Sequence, residues 1–182
     1  VAFSYPMTPD KGTTPGSLCT DDDPHFEEYR YAEQIPYCRR SVGKSRKNYV
    51  YELYDIPSNE RRSYTIDHMV PLSIGGSNHV NNLWPEHKDV KKLRPNLEYQ
   101  VFLALKRGQI NQYQALQMIY RAKFCPQCRA ELSDELKEME EYYEENFEEE
   151  EFFDFFLEFE GKLVAESFSH WAWVFVYLLG LL

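Results

Sequence analysis

The sequence predicts an α+β fold in which a β-hairpin and the helix after it are embedded in a mostly helical small domain. Two short segments with strand character flank the turn sequence at 75–78, Gly-Gly-Ser-Asn, a combination typical of a β-hairpin. Two amphipathic segments then follow between Asn96 and Ala122, separated near Gly108. Strand signals in one short stretch and helical periodicity around it indicate the α+β class.

The segment before the hairpin divides into a loop region and one helix. Residues 1–40 are predicted to be loop-rich, because Pro, Gly, Thr and Asp dominate the first 26 positions. Apolar side chains at roughly helical spacing predict a helix over 41–54, and Ile56-Pro57 ends it. A domain over 41–130 is therefore expected to begin with this helix.

The hairpin and the elements after it follow from alternation, turn residues and caps. Strands are predicted over 63–68 and 80–84, and Pro85 suits the first turn of a helix over 86–92. Helices are also predicted over 96–106, ending at Gly108, and from the N-cap Asn111 through 122. This helical pair is expected to support the hairpin and its helix.

Charge is segregated along the 182 residues, whose formal net charge is −10. Residues 1–130 hold 18 Lys+Arg against 14 Asp+Glu, whereas residues 131–160 hold 15 Asp+Glu against one Lys. The acidic segment, rich in Tyr and Phe, is expected to be a solvated helix or a disordered tail. Because the body is mildly basic, the overall charge does not exclude a nucleic-acid partner.

The C-terminal segment 161–182 is apolar, and its role stays open. The twelve residues 171–182 are too few to span a bilayer, which needs about 20. Membrane contact through 163–182 and a strand packed on the core are both alternatives. No signal-peptide pattern is visible at the start, so secreted and cytoplasmic locations both stay open.

Four cysteines, at 19, 38, 125 and 128, are compatible with free thiols, two disulfides or a four-thiolate zinc site. A Cys19–Cys38 disulfide is favoured, because both residues lie in a loop-rich region. Cys125-Pro-Gln-Cys128 is a single CxxC pair and carries little weight alone.

The chemistry is concentrated between Tyr64 and His87. Asp67 and His68 are adjacent at a predicted strand end, which presents a carboxylate and an imidazole at one spot. A metal ion held by Asp67 and a water activated by His68 would form a phosphodiester hydrolase site, with His87 as a second ligand. An Asp-His pair alone is more often structural than catalytic.

Several further residues, in this order and spacing, resemble the HNH endonuclease family, whose fold is the ββα-metal finger. The match covers about 25 residues and consists of Asp67-His68, Pro71-Leu72, Gly75-Gly76, Asn82-Leu83 and Trp84-Pro85. The regions 29–31, 35–39 and 96–122 are also similar to a bacterial subgroup of small HNH nucleases.

The resemblance implies that His68 is the general base, Asp67 a metal ligand and Asn82 the residue that holds the loop. The family commonly has its last His or Asn about nine residues after Asn82, where this chain has Lys91. His87 is therefore the expected second ligand, with Asn78 and His79 in reserve.

The resulting expectation is a metal-dependent endonuclease that hydrolyses DNA, with RNA as an alternative, at low sequence specificity. The expected cofactor is one divalent ion, Mg²⁺, with Mn²⁺ or Zn²⁺ as alternatives. The basic residues expected to contact phosphates are Arg61, Arg62, Lys88, Lys91 and Lys92. The rival hypotheses are a catalytically weak nucleic-acid-binding module on the same fold and an interaction protein that acts through residues 131–182.

Overall fold

The computed structural model describes residues 5–163, with side chains as far as residue 146. The described residues form two small antiparallel sheets and five α-helices, a mixed α and β fold. The chain divides into two compact units, one through Met139 and the other from Glu140 onward. The candidate site lies in the first unit.

The N-terminal hairpin is held to the loop region by a disulfide. Strand β1 (Phe26–Arg30) pairs with β2 (Ile35–Cys38). Cys38 is bonded to Cys19, which confirms the favoured pairing, and Cys125 is bonded to Cys128. Of the three thiol states that the sequence left open, the structure therefore has two disulfides.

Helix α1 (Lys44–Leu53) packs against the second hairpin, formed by β3 (Tyr64–His68) and β4 (Leu83–His87). The predicted second strand over 80–84 was wrong in its bounds, because residues 80–82 form a 3₁₀ turn and pairing begins only at Leu83. Pro85 lies inside β4, where it is tolerated because the sheet has only two strands.

Helix α2 (Lys88–Lys92) follows β4 directly and starts two residues later than predicted. His87 is its N-cap, since its Nδ1 accepts a hydrogen bond of 3.2 Å from the backbone N–H of Asp89. The strand therefore extends to His87, which the sequence analysis had assigned to the helix.

Helices α3 (Leu97–Lys106) and α4 (Gln112–Phe124) form the predicted helical pair. Asn111 caps α4 in a reciprocal capping box with Gln114. The main core lies between these helices, the loop after β3 and the start of α5; its fully buried members include Met69, Ile74, Val101, Leu105, Ile119 and Leu132.

The long loop between β3 and β4 turns at Gly75 and Gly76. A Cβ at position 76 would lie 1.9 Å from the carbonyl oxygen of Val70, so only glycine fits there. Gly75 has a φ of +93°. The loop is also bridged to the N-terminal segment through Leu18.

Helix α5 (Arg129–Leu163) contains the acidic segment, which is thus a helix, one of the two alternatives predicted. Leu132 and Leu136 are buried in the main core of the first unit. The predictions for 164–182, including membrane contact, lie outside the described residues. In the part of the chain that is described, no helix has the length and apolar character needed to cross a membrane.

Candidate active site

Strand alternation separates the predicted site residues onto two faces of the β3–β4 hairpin. Asp67 is paired with Trp84, and Glu86 lies two residues further along on the same face. His68 is paired with Leu83 and lies on the opposite face, which packs against α1. We call these the Asp67 face and the His68 face.

The Asp67 face is an ion-pair network. Asp67 is 8% exposed, and its Oδ2 accepts hydrogen bonds from Lys123 Nζ at 3.0 Å and Arg94 Nη2 at 3.2 Å. Its Oδ1 lies 3.4 Å from the Nζ of Lys91. Burial alone would raise the pKa of Asp67, but the charges of Lys123, Lys91 and Arg94 hold it well below its usual range.

Two further carboxylates complete this network. Arg94 also contacts the fully buried Glu86, and Glu98 pairs with both Arg94 and Lys123. The Oε2 atom of Glu86 is buried without a hydrogen-bond partner and lies 3.7 Å from Lys91 Nζ. Three carboxylates are therefore paired with three cations, and the buried Arg129 is a further cation near Glu86.

On the His68 face, Asn78 determines which ring nitrogen of His68 carries the proton. Asn78 Nδ2 donates to the carbonyl oxygen of Arg39 at 2.8 Å, and its Oδ1 accepts from the N–H of Ser41 at 3.0 Å. These bonds fix the amide orientation, so His68 Nε2, 3.2 Å from Asn78 Oδ1, must be the donor. The lone pair of a neutral His68 is therefore on Nδ1.

The environment of His68 keeps the imidazole neutral. Burial lowers the pKa of His68 to about 4, and the nearby charge of Arg40 acts in the same direction, while the Asn78 hydrogen bond opposes it. His68 is 3% exposed. His68 is therefore neutral across the physiological pH range and its Nδ1 lone pair is unprotonated there, but a pKa of about 4 makes it a weaker base than an ordinary histidine.

Asn82 holds the loop between the strands, the contact expected of it. Its Oδ1 accepts from the N–H of Val70 at 2.8 Å, and its Nδ2 donates to the carbonyl oxygens of Val70 at 3.0 Å and Ser77 at 2.8 Å. The side chain is fully buried. It thus connects the residues just after His68 with those just before Asn78.

The structure does not bring His87 to Asp67. His87 is paired with Tyr64, three positions or about 10 Å along the strand from Asp67, and on the His68 face. Its ring stacks on Tyr5 at 3.8 Å. Among residues 5–146, no cluster of three or more His, Cys, Asp or Glu side chains is arranged to hold a metal ion.

The basic residues predicted to contact phosphates do not form one surface around His68. Arg61 bonds to Asn48 and lies over the ring of Tyr51, and Lys92 pairs with Asp89 at 2.9 Å. Lys91 is part of the Asp67 network, while Arg62 and Lys88 are exposed.

Sequence reasoning missed four residues of the site. Asn78 was only a reserve ligand, and Glu86, Arg94 and Lys123 were not expected to contact Asp67. The signal for Glu86 is its position two residues after Trp84, the partner of Asp67, which puts it on the Asp67 face once β4 extends to His87. Nothing in the sequence indicates the contact between Lys123 and Asp67, because Lys123 lies on α4, 56 residues from Asp67 in the chain.

Comparison with known proteins does not assign this chain to a family. No family model matches the chain, and no significant match exists among curated proteins or solved structures.

Proposed function

We propose that this protein is an endonuclease that hydrolyses phosphodiester bonds of DNA, and of RNA as a second substrate, with low sequence specificity. The frame is a hairpin followed directly by a helix, which we interpret as a ββα finger. His68 acts as the general base, and Asn82 maintains the loop around it. The proposal rests on the resemblance to HNH nucleases and on the geometry of His68.

The observation that carries the proposal is the fixed tautomer of His68. Two backbone groups orient the Asn78 amide, and the amide in turn holds His68 Nε2 as a donor. His68 Nδ1 is thereby kept as the base that takes a proton from the attacking water.

The Asp67 face offers oxygen atoms to a divalent ion, although not the ligand pair that the sequence predicts. Asp67 Oδ1 and Glu86 Oε2 both lie nearest to Lys91 Nζ, and Glu86 Oε2 is buried without a hydrogen-bond donor. Carboxylate oxygens suit Mg²⁺ and Mn²⁺. These two residues would hold an ion once Lys91 moves aside. Because they lie on the face opposite to His68, an ion that stabilises charge on the phosphoryl and leaving oxygens would instead bind with the substrate on the His68 side.

Supercoiled plasmid incubated with Mg²⁺, Mn²⁺ or EDTA tests the proposal. We expect cleavage in either metal and none in EDTA, and His68→Ala is expected to lower the rate at least about 100-fold. His87→Asn is the matched control, because asparagine can also cap α2 and His87 is remote from Asp67. Metal-dependent cleavage that persists in His68→Ala would refute the role of His68.

A second candidate is a nucleic-acid-binding module without hydrolysis. The contact between Lys91 and Asp67 favours it, because a protonated lysine at the position of the family's last ligand repels a divalent ion. This candidate predicts oligonucleotide binding in EDTA and no cleavage with any divalent ion.

A further inference from the structure

A groove runs beside Asn78 on the His68 side of the molecule. It consists of two adjoining cavities, of about 460 Å³ and about 210 Å³, that share Arg46 and Val80. The larger is otherwise lined by Ser41, Gly43, Ser45 and Tyr49, and the smaller by Asp23, Pro24, His25, Asn78 and His79. Since Asn78 is also the partner of His68, the groove passes one residue away from the candidate base.

The centre of the groove carries a positioned cation. Arg46 Nη1 donates to the carbonyl oxygens of Ser41 at 2.9 Å and Asn78 at 3.1 Å, which anchors the guanidinium between the two cavities. Helix α1 begins at the groove with the residues Lys44, Ser45, Arg46 and Lys47. Lys44 and Lys47 are exposed and line neither cavity, so the guanidinium of Arg46 is the group that would contact a phosphate in the groove.

The smaller cavity adds an oriented histidine. His25 Nδ1 lies 3.3 Å from Asp23 Oδ1, which also accepts from the backbone N–H of His25 at 2.8 Å. The one acidic side chain described as lining the groove is thus engaged by His25. His79, which is exposed, lines the same cavity.

Tyr49 supplies an aromatic surface one turn after Arg46 on α1. It lines the larger cavity and is 51% exposed, although it belongs to a helix that packs on the hairpin. Of the side chains that line the groove, Arg46 is the cation and Asp23 the carboxylate. A cation that contacts the phosphate backbone, with an aromatic ring beside it, is a combination by which proteins bind single strands. In a duplex, the base faces that such a ring contacts are already stacked.

We propose that this groove binds an unpaired strand of nucleic acid, with a phosphate at Arg46 and a base stacked on Tyr49. The inference deepens the proposed nuclease function by naming the form of its substrate, and it rests on that function only for the role of His68. Binding places the strand beside the Asn78–His68 pair.

Fluorescence anisotropy with a labelled oligonucleotide in EDTA tests the groove without hydrolysis. We expect the wild-type protein to bind a single strand at least about fivefold more tightly than the duplex of the same sequence. Tyr49→Ala should weaken single-strand binding about tenfold, and Tyr49→Phe should stay within about twofold of wild type. Tyr113→Ala, which removes a tyrosine 68% exposed on α4, is the matched control and should leave binding unchanged.

The outcomes separate this inference from the proposed function. Equal binding of single strand and duplex, or an unchanged affinity in Tyr49→Ala, would overturn the groove whether or not the protein cleaves plasmid. Tyrosine-dependent binding without cleavage under any divalent ion would support the groove and refute the nuclease. Inorganic polyphosphate serves as the competitor. If the same concentration displaces the strand from wild type and from Tyr49→Ala, the groove is a general polyanion site, and the stacking role of Tyr49 is overturned.

Discussion

The two faces of the β3–β4 hairpin hold their polar residues in opposite ways. On the Asp67 face, a buried carboxylate is surrounded by three cations and is kept ionised by them. On the His68 face, a buried imidazole is held by one neutral amide and is kept uncharged. Adjacent residues of one strand thus experience different electrostatics because alternation sends them to different partners.

We interpret this difference as one between a structural role for Asp67 and the chemical role proposed for His68. The Asp67 network joins the hairpin to the region after α2, to α3 and to α4, through Arg94, Glu98 and Lys123. The His68 side chain bonds to Asn78 in the loop between the two strands, and this contact leaves the Nδ1 lone pair of the neutral ring unprotonated. We therefore expect changes on the Asp67 face to affect stability most, and changes on the His68 face to affect chemistry most.

The largest expected effect on stability is that of Lys123→Met. Lys123 has a fully buried side chain that bonds to Asp67 and to the carbonyl oxygen of His68. Removing the ammonium leaves buried carboxylates with one cation fewer, which costs about 3–5 kcal/mol. Urea denaturation monitored by circular dichroism measures this loss.

Lys137→Met is the control for Lys123→Met, because Lys137 is 59% exposed and pairs with Asp134 one turn away. Its expected cost is below about 1 kcal/mol. Equal effects of the two substitutions would mean that the Asp67 network does not hold the fold together.

The two faces are expected to respond to acid in different pH windows. The folded-state pKa of His68 is lowered to about 4 from 6.5, so the unfolded chain binds the proton first. This lowers the stability by about 3 kcal/mol as the pH falls from 6.5 to 4. The pKa of Asp67 is depressed below 3.8, so the stability that it contributes is complete above that pH and is lost below it.

Urea denaturation at pH 7, 5.5, 4 and 3 separates these contributions. His68→Gln should flatten the profile between pH 6.5 and 4, and Asp67→Asn should flatten it only below about pH 4. The test is the difference in unfolding free energy between wild type and His68→Gln. If this difference is the same at pH 6.5 and pH 4, burial does not hold His68 neutral.

The sequence predicted the elements well where the signal was local. The capping residue Asn111, the glycine turn and the first strand of the hairpin depend on neighbouring residues, and the structure confirms them. The second strand was misplaced because Pro85 suits both a helix start and the strand of a two-stranded sheet. That error also placed His87 on the wrong element.

The site was predictable only in part, for a physical reason. Asp67, His68 and Asn82 are close in sequence, and their motif could be recognised. Lys123 is 56 residues from Asp67, and its contact arises from the packing of α4 against the hairpin. The pattern of apolar residues along a helix does not distinguish a lysine that is buried against a carboxylate from an exposed lysine when polar and apolar residues share the inner face of the helix.

A change of intermediate size is expected from Asn78→Asp. The aspartate still accepts hydrogen bonds from His68 Nε2 and from the N–H of Ser41. It no longer donates to the carbonyl oxygen of Arg39, and this loss should lower the free energy of unfolding by about 1–3 kcal/mol. Its negative charge should raise the pKa of His68 and shift the acid limb of the cleavage profile upward. NMR titration of the His68 ring measures the pKa, and an unchanged value would remove Asn78 as its partner in solution.

The smallest effect on stability and the sharpest test of the Asp67 face come from Lys91→Met. Lys91 is 52% exposed but its partners Asp67 and Glu86 are buried, so losing it should cost about 1 kcal/mol, more than an exposed ion pair and less than losing the buried Lys123. The substitution removes the cation that lies near both Asp67 Oδ1 and Glu86 Oε2, so Mn²⁺ should raise the Tm of this variant more than that of the wild type. Lys92→Met, next in the chain and paired with Asp89 on the outer side of α2, should respond to Mn²⁺ as the wild type does. If Mn²⁺ shifts none of the three proteins, Asp67 is a structural carboxylate, and any divalent ion required for cleavage must bind with the substrate on the His68 side.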